Sequence, residues 1–124
     1  MSQSPPPDLV ERVTAALPLL LSESCGNPVG AFFEVIEETG GHGLCEDASA
    51  ELRALLGEGE LWWLDLTLGV QLTAVGAVPS DYPREVDGFP AGDHCVLRVG
   101  DWFVDVTARQ FDPRLPLPFF WRAP

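Results

Sequence analysis

Residues 93–111, DHCVLRVGDWFVDVTARQF, read as two β-strands joined at Gly100-Asp101. β-Branched and aromatic residues fill both halves, and glycine followed by aspartate is the chemistry of a tight turn. With a two-residue turn, Val99 lies opposite Trp102, Val96 opposite Asp105 and His94 opposite Thr107. One face then carries Cys95, Leu97, Val99, Trp102, Val104 and Val106 and is wholly apolar, which fixes the register, because a slip of one residue would turn that set to water. The other face carries His94, Val96, Arg98, Phe103, Asp105 and Thr107 and is expected to line a cleft. His94 and Asp105 are diagonal neighbours there, with Cα atoms ~7–8 Å apart, a gap two medium side chains can close. Any turn of even length keeps this parity, whereas a three-residue turn with a bulge breaks it.

Upstream of the hairpin, PSDYPREVDGFPAGD (79–93) reads as a long polar loop, preceded by two strand-like stretches, ELWWLDLTLG (60–69) and VQLTAVGAV (70–78). Before these, CEDASAELRALL (45–56) places Ala48, Leu52, Leu55 and Leu56 on one helical face, with Gly57 as the C-terminal stop. Glu46 and Asp47 occupy its first turn, where the helix dipole favours carboxylates, so Cys45 lies at a helix N-terminus. AFFEVIEETG (31–40) fits a short helix or a strand, and GGHG (40–43) is a loop. Leu9, Val10, Val13, Ala16, Leu17, Leu20 and Leu21 recur at helical spacing behind an Asp8 cap, with Pro18 set to kink or split the helix. Residues 1–7, with three consecutive prolines, are expected to form a disordered lead. Downstream, FDPRLPLPFFW (111–121) reads as an irregular, proline-punctuated closing segment. Helices first and an antiparallel sheet second make the expected class α+β, a single domain over residues 8–124.

The chain has 124 residues, 19 acids, seven arginines and no lysine, for a net charge of −12. Such a surface repels nucleic acid and anionic membranes; it serves solubility or attracts a basic protein partner. The longest apolar run, AALPLLL (15–21), is far short of the ~20 residues a membrane span needs. No basic-then-apolar leader opens the chain. Three cysteines, Cys25, Cys45 and Cys95, argue against a disulfide framework and for a reducing, cytoplasmic setting.

A thiol becomes a nucleophile when its pKa falls, and a helix N-terminus and a nearby imidazolium both lower it. Cys45 has the first by position. His94 supplies the second, with Asp105 holding the imidazole in the required tautomer. Glu46 and Asp47 oppose this, since adjacent negative charge raises a thiol pKa. Cys95 belongs to the apolar face and reads as a small core residue, and Cys25, in the turn SCGNPVG (24–30), is the reserve nucleophile. Zinc is the competing chemistry, through His42 and Cys45 in HGLC with His94 and Cys95. Adjacent strand residues point to opposite faces, however, so His94 and Cys95 cannot share one ion, and the chain has neither CxxC nor HExxH. No metal and no cofactor are therefore expected. His42, between glycines, is a solvated loop residue or lines the cleft beside Cys45.

GHGLCEDASAELRALL followed by DHCVLRVGDWFVDVTARQF resembles small bacterial papain-like or transglutaminase-like cysteine proteins over about residues 40–122. In these a cysteine opens a helix packed on an antiparallel sheet, a histidine starts one strand and an aspartate lies in the next. The resemblance implies acyl transfer through a thioester: amide hydrolysis, glutamine deamidation or transfer to an amine, on an amide or protein substrate. It also implies Cys45 as nucleophile, His94 as base and Asp105 as orienting acid. Papain-type enzymes place a glutamine shortly before the cysteine, but EETGGHGL (37–44) contains none. An oxyanion hole would then use the Cys45 backbone N–H with a second donor such as Asn27 or Gln110. That missing glutamine and the acids beside Cys45 leave a second reading, a non-enzymatic acidic accessory module.

Overall fold

The computed structural model describes residues 4–21, 28–41, 43–72, 76 and 78–123. Among these the chain forms three α-helices packed against an open antiparallel sheet, a mixed α/β arrangement. Helix α1 (Pro7–Ala16) starts one residue earlier than the expected Asp8 cap: Pro6 holds the cap position and Pro7 opens the helix, where a missing N–H costs nothing. The expected proline lead therefore ends inside α1. Pro18 splits the apolar run as expected, with α1 giving way to a 3-10 turn at Leu17–Leu19. AFFEVIEETG resolves as helix α2 (Ala31–Thr39), flanked by Gly30 and Gly40, both left-handed. Helix α3 (Cys45–Leu56) has the bounds read from its sequence, and the Gly57 N–H closes it on the Arg53 carbonyl at 2.9 Å.

The five-stranded sheet comprises β1 (Glu60–Asp65), β2 (Val70–Gln71), β5 (Asp93–Val99), β6 (Trp102–Asp105) and β7 (Phe119–Arg122), in the order β2-β1-β5-β6-β7. The β5–β6 hairpin has the expected register, pairing Leu97 with Val104, Arg98 with Phe103 and Val99 with Trp102 around Gly100-Asp101. Three segments depart from the sequence reading. VQLTAVGAV contributes only the two-residue β2 among its described residues. The closing segment is not irregular throughout, because Phe119–Arg122 pairs with β6. The polar loop contains a small hairpin of β3 (Glu85–Val86) and β4 (Phe89–Pro90), turned at Asp87 and Gly88, both at positive φ.

The apolar hairpin face packs on the helices: Leu97, Val99, Trp102, Val104 and Val106 join Leu9, Val13, Phe32, Ile36, Ala48 and Leu52 in one core. The opposite face, expected to border a cleft, is covered by a second core. Phe103 and Val96 are packed there with Trp62, Leu64, Leu115 and Phe119. Phe103 stacks on Trp121 with centroids 5.1 Å apart. Arg98, on the same face, lies over the Trp62 ring at 4.8 Å. The closing segment thus encloses what alternation alone left open to water, and His94 and Asp105 are fully buried as a result.

Candidate active site

Asp105 ends β6 and is the centre of a polar cluster inside the second core. Its Oδ2 meets His94 Nε2 at 2.6 Å, the diagonal pairing expected from the hairpin register. Its Oδ1 accepts the Thr107 N–H at 2.8 Å and lies 3.4 Å from the Thr107 hydroxyl, which in turn accepts from Gln110 Nε2 at 3.1 Å. The Tyr82 hydroxyl donates to Asp105 Oδ2 as well. A buried carboxylate needs such partners, since each lone pair left unpaired in a dry interior is costly. The Phe111 ring stands edge-on to the imidazole, with centroids 4.7 Å apart, and holds its plane.

With Nε2 committed to Asp105, Nδ1 is the remaining ring nitrogen, and no regular hydrogen bond closes on it. The Cys45 thiol, half-buried at the start of α3, interacts with this imidazole. Burial pushes the thiol pKa up, but the nearby His94 side chain, the Cys95 backbone and the imidazolium charge bring it below its ordinary value of 9.0. For His94, burial alone would lower the pKa. The charge and hydrogen bond of Asp105, followed by the proximity of Cys45, carry it up to about 9. The lowered thiol pKa and the imidazole pKa raised to about 9 both shift the pair in the direction of thiolate and imidazolium. Glu46 and Asp47, expected to oppose the thiolate, are both exposed; the carboxylate that acts against it is Asp105, behind the imidazole.

Two glycines deliver Cys45 to this position. A Cβ on Gly40 would come within 2.5 Å of the Gln110 Cα, and one on Gly41 within 2.9 Å of Ile36 and 3.0 Å of Thr107. The turn between α2 and α3 can therefore press directly on the segment that follows Asp105, with both glycines at positive φ.

Cys95 sits on the helix-facing side as expected and is fully buried. Burial, then the negative charge of Cys45, pushes its pKa up to about 12, so it remains a thiol. Gln110 lies behind Asp105 with its amide on the Thr107 hydroxyl, which in turn contacts the Asp105 carboxylate. Asn27, His42 and Cys25 fall outside the described residues. Tyr82 is the site residue that sequence reasoning missed: it sits in the segment read as a polar loop, yet is only 3% exposed. The available signal was composition, a single tyrosine between Asp81 and Pro83, and periodicity gave none. Among the described residues no group of three or more His, Cys, Asp or Glu side chains could hold a metal ion. Among the described residues no helix is long and apolar enough to cross a membrane. No protein-family model, curated protein or solved structure matches this chain, so its functional assignment rests on the geometry of Cys45, His94 and Asp105.

Proposed function

We propose that this chain is a cysteine-dependent acyl-transfer enzyme of papain-like or transglutaminase-like type, acting on an amide or protein substrate in a reducing, cytoplasmic setting. The observation that carries this reading is the fully buried His94–Asp105 pair at 2.6 Å beside a thiol of lowered pKa at a helix N-terminus. The Cys45 thiolate attacks the substrate carbonyl carbon, forming a C–S bond and a tetrahedral oxyanion. Backbone N–H groups in the first turn of α3 have no partner within the helix, and the Cys45 N–H is among them, available to that oxyanion. His94 then gives its proton to the leaving amine, which departs and leaves a thioester. Water or a second amine, deprotonated by His94, attacks the thioester carbonyl and releases the thiolate. Asp105 keeps Nε2 occupied, so the proton traffic runs through Nδ1 on the thiol side.

Iodoacetamide at pH 6.5 with peptide mapping tests the assignment: Cys45 is expected to be modified well before Cys25 and Cys95. Equal or reversed labelling removes Cys45 from the nucleophile role. Hydrolysis of an activated ester, with a burst that Cys45→Ala abolishes, tests the thioester step. The net charge of −12 favours one alternative, an accessory module that binds a basic protein surface. An inert Cys45 together with salt-sensitive capture of a basic protein would support that alternative.

A further inference from the structure

We infer that Tyr82 is a positioning residue of the site, a fourth member behind Cys45, His94 and Asp105, whose phenol sets how strongly the Asp105 carboxylate holds the His94 proton. The inference rests on the roles proposed for His94 and Asp105. Its basis is the shared oxygen: the Tyr82 hydroxyl donates to Asp105 Oδ2, the same atom that meets His94 Nε2 at 2.6 Å. Two donors on one carboxylate oxygen compete for its electron density. A purely structural tyrosine would be equally well satisfied by Oδ1 or by a carbonyl.

The surroundings fix this arrangement. The Tyr82 ring is packed by Phe119 at 5.4 Å, Trp121 at 5.6 Å and Phe111 at 6.2 Å, with the imidazole itself at 6.0 Å. Burial, then the charge of Asp105, raises the phenol pKa well above its ordinary value, so Tyr82 stays protonated and can only donate to the carboxylate. Asp105 and Cys45 are the charged groups that act on His94, and Asp105 and Asp81 those that act on Tyr82.

The positive end of the phenol dipole lies beside the oxygen that stabilises the imidazolium. Removing it should tighten the hold of Asp105 on the proton, and strengthening it should loosen that hold. The chain has one tyrosine, so biosynthetic incorporation of 3-fluorotyrosine changes position 82 alone and leaves the side chain nearly isosteric. His94 is titrated by NMR in the wild type, in Tyr82→Phe and in the fluorotyrosine protein, with Cys45 alkylation followed against pH in the same samples. The expected result is a His94 pKa raised by roughly half to one pH unit in Tyr82→Phe and lowered in the fluorotyrosine protein. The alkaline limb of the Cys45 profile should move the same way.

If Tyr82→Phe does not fold, the fluorotyrosine protein decides alone, and an unmoved His94 titration there overturns the inference. Unmoved titrations in both folded proteins, with only a lower melting temperature, reduce Tyr82 to a packing residue. Failure of the acyl-transfer reading is a separate result: absence of any Cys45-dependent hydrolysis, with the opposed His94 shifts still present.

Discussion

Asp105→Asn separates charge from shape at the centre of the site. The amide keeps the packing but removes the charge that outweighs burial at His94, so the histidine pKa should fall from about 9 to below 6.5. NMR titration reads this directly, and Cys45 alkylation at pH 6.5 should slow with it. Turnover should drop by roughly 10²–10⁴-fold if acyl transfer is the reaction. The same linkage has a signature in stability. His94 has a folded pKa above its unfolded value of 6.5, so its contribution is complete below pH 6.5 and is lost as the pH rises through about 9. Denaturation of the wild type between pH 6 and 10 should show a decline on the order of 3 kcal/mol from this residue, absent in Asp105→Asn. At this scale the sequence was informative where one strand turn ties two residues together. Alternation and a two-residue turn suffice to pair His94 with Asp105. Tyr82 was not legible because its partner lies 23 positions away, across a segment with no regular period.

Among the elements, the turn that feeds α3 carries the sharpest constraint. Gly40→Ala combines a left-handed backbone with a Cβ set 2.5 Å from the Gln110 Cα, and neither main chain can yield as a flexible side chain would. A loss of about 2 kcal/mol or more is expected in urea denaturation, accompanied by slower Cys45 alkylation as the helix start is displaced. The hairpin provides a second test. Compared at pH 10, where the His94 contribution is already lost from the wild type, Val104→Asp puts an unpaired charge between the helices and the sheet and should cost about 3–5 kcal/mol, whereas Asp105→Asn next to it should melt far closer to the wild type. Equal melting temperatures would contradict the register. Helix α3 was legible end to end because acids, apolar spacing and a terminal glycine all agree. In AFFEVIEETG apolar residues satisfy both helical and strand periods, and only burial of Phe32 and Ile36 under the sheet decides for helix. Strand β7 was hidden by Pro116 and Pro118 immediately before it; they bar pairing on the approach but not in Phe119–Arg122 itself.

For the whole molecule, one sheet separates two cores, and the second exists only because the chain returns after Gln110 to cover it. Deleting residues 117–124 should therefore leave the helical signal in far-UV circular dichroism while exposing Phe103 and Tyr82, detectable as dye binding and loss of near-UV signal. This layer is not legible in the sequence because half of it is assembled from proline-rich and loop segments, where hydrophobic periodicity is silent. The same layering distributes the site unequally. His94 and Asp105 are wholly enclosed, and every residue of β6 is buried, whereas Cys45 is half-exposed at the end of a helix. Mutational drift should feel that difference. If Cys45 serves the proposed acyl transfer, a descendant relieved of that reaction could discard it at little structural cost, while His94, Asp105 and Tyr82 would be retained by their shared hydrogen bonds. Inactive descendants should thus keep the histidine, the aspartate and the tyrosine together, and differ first at the cysteine.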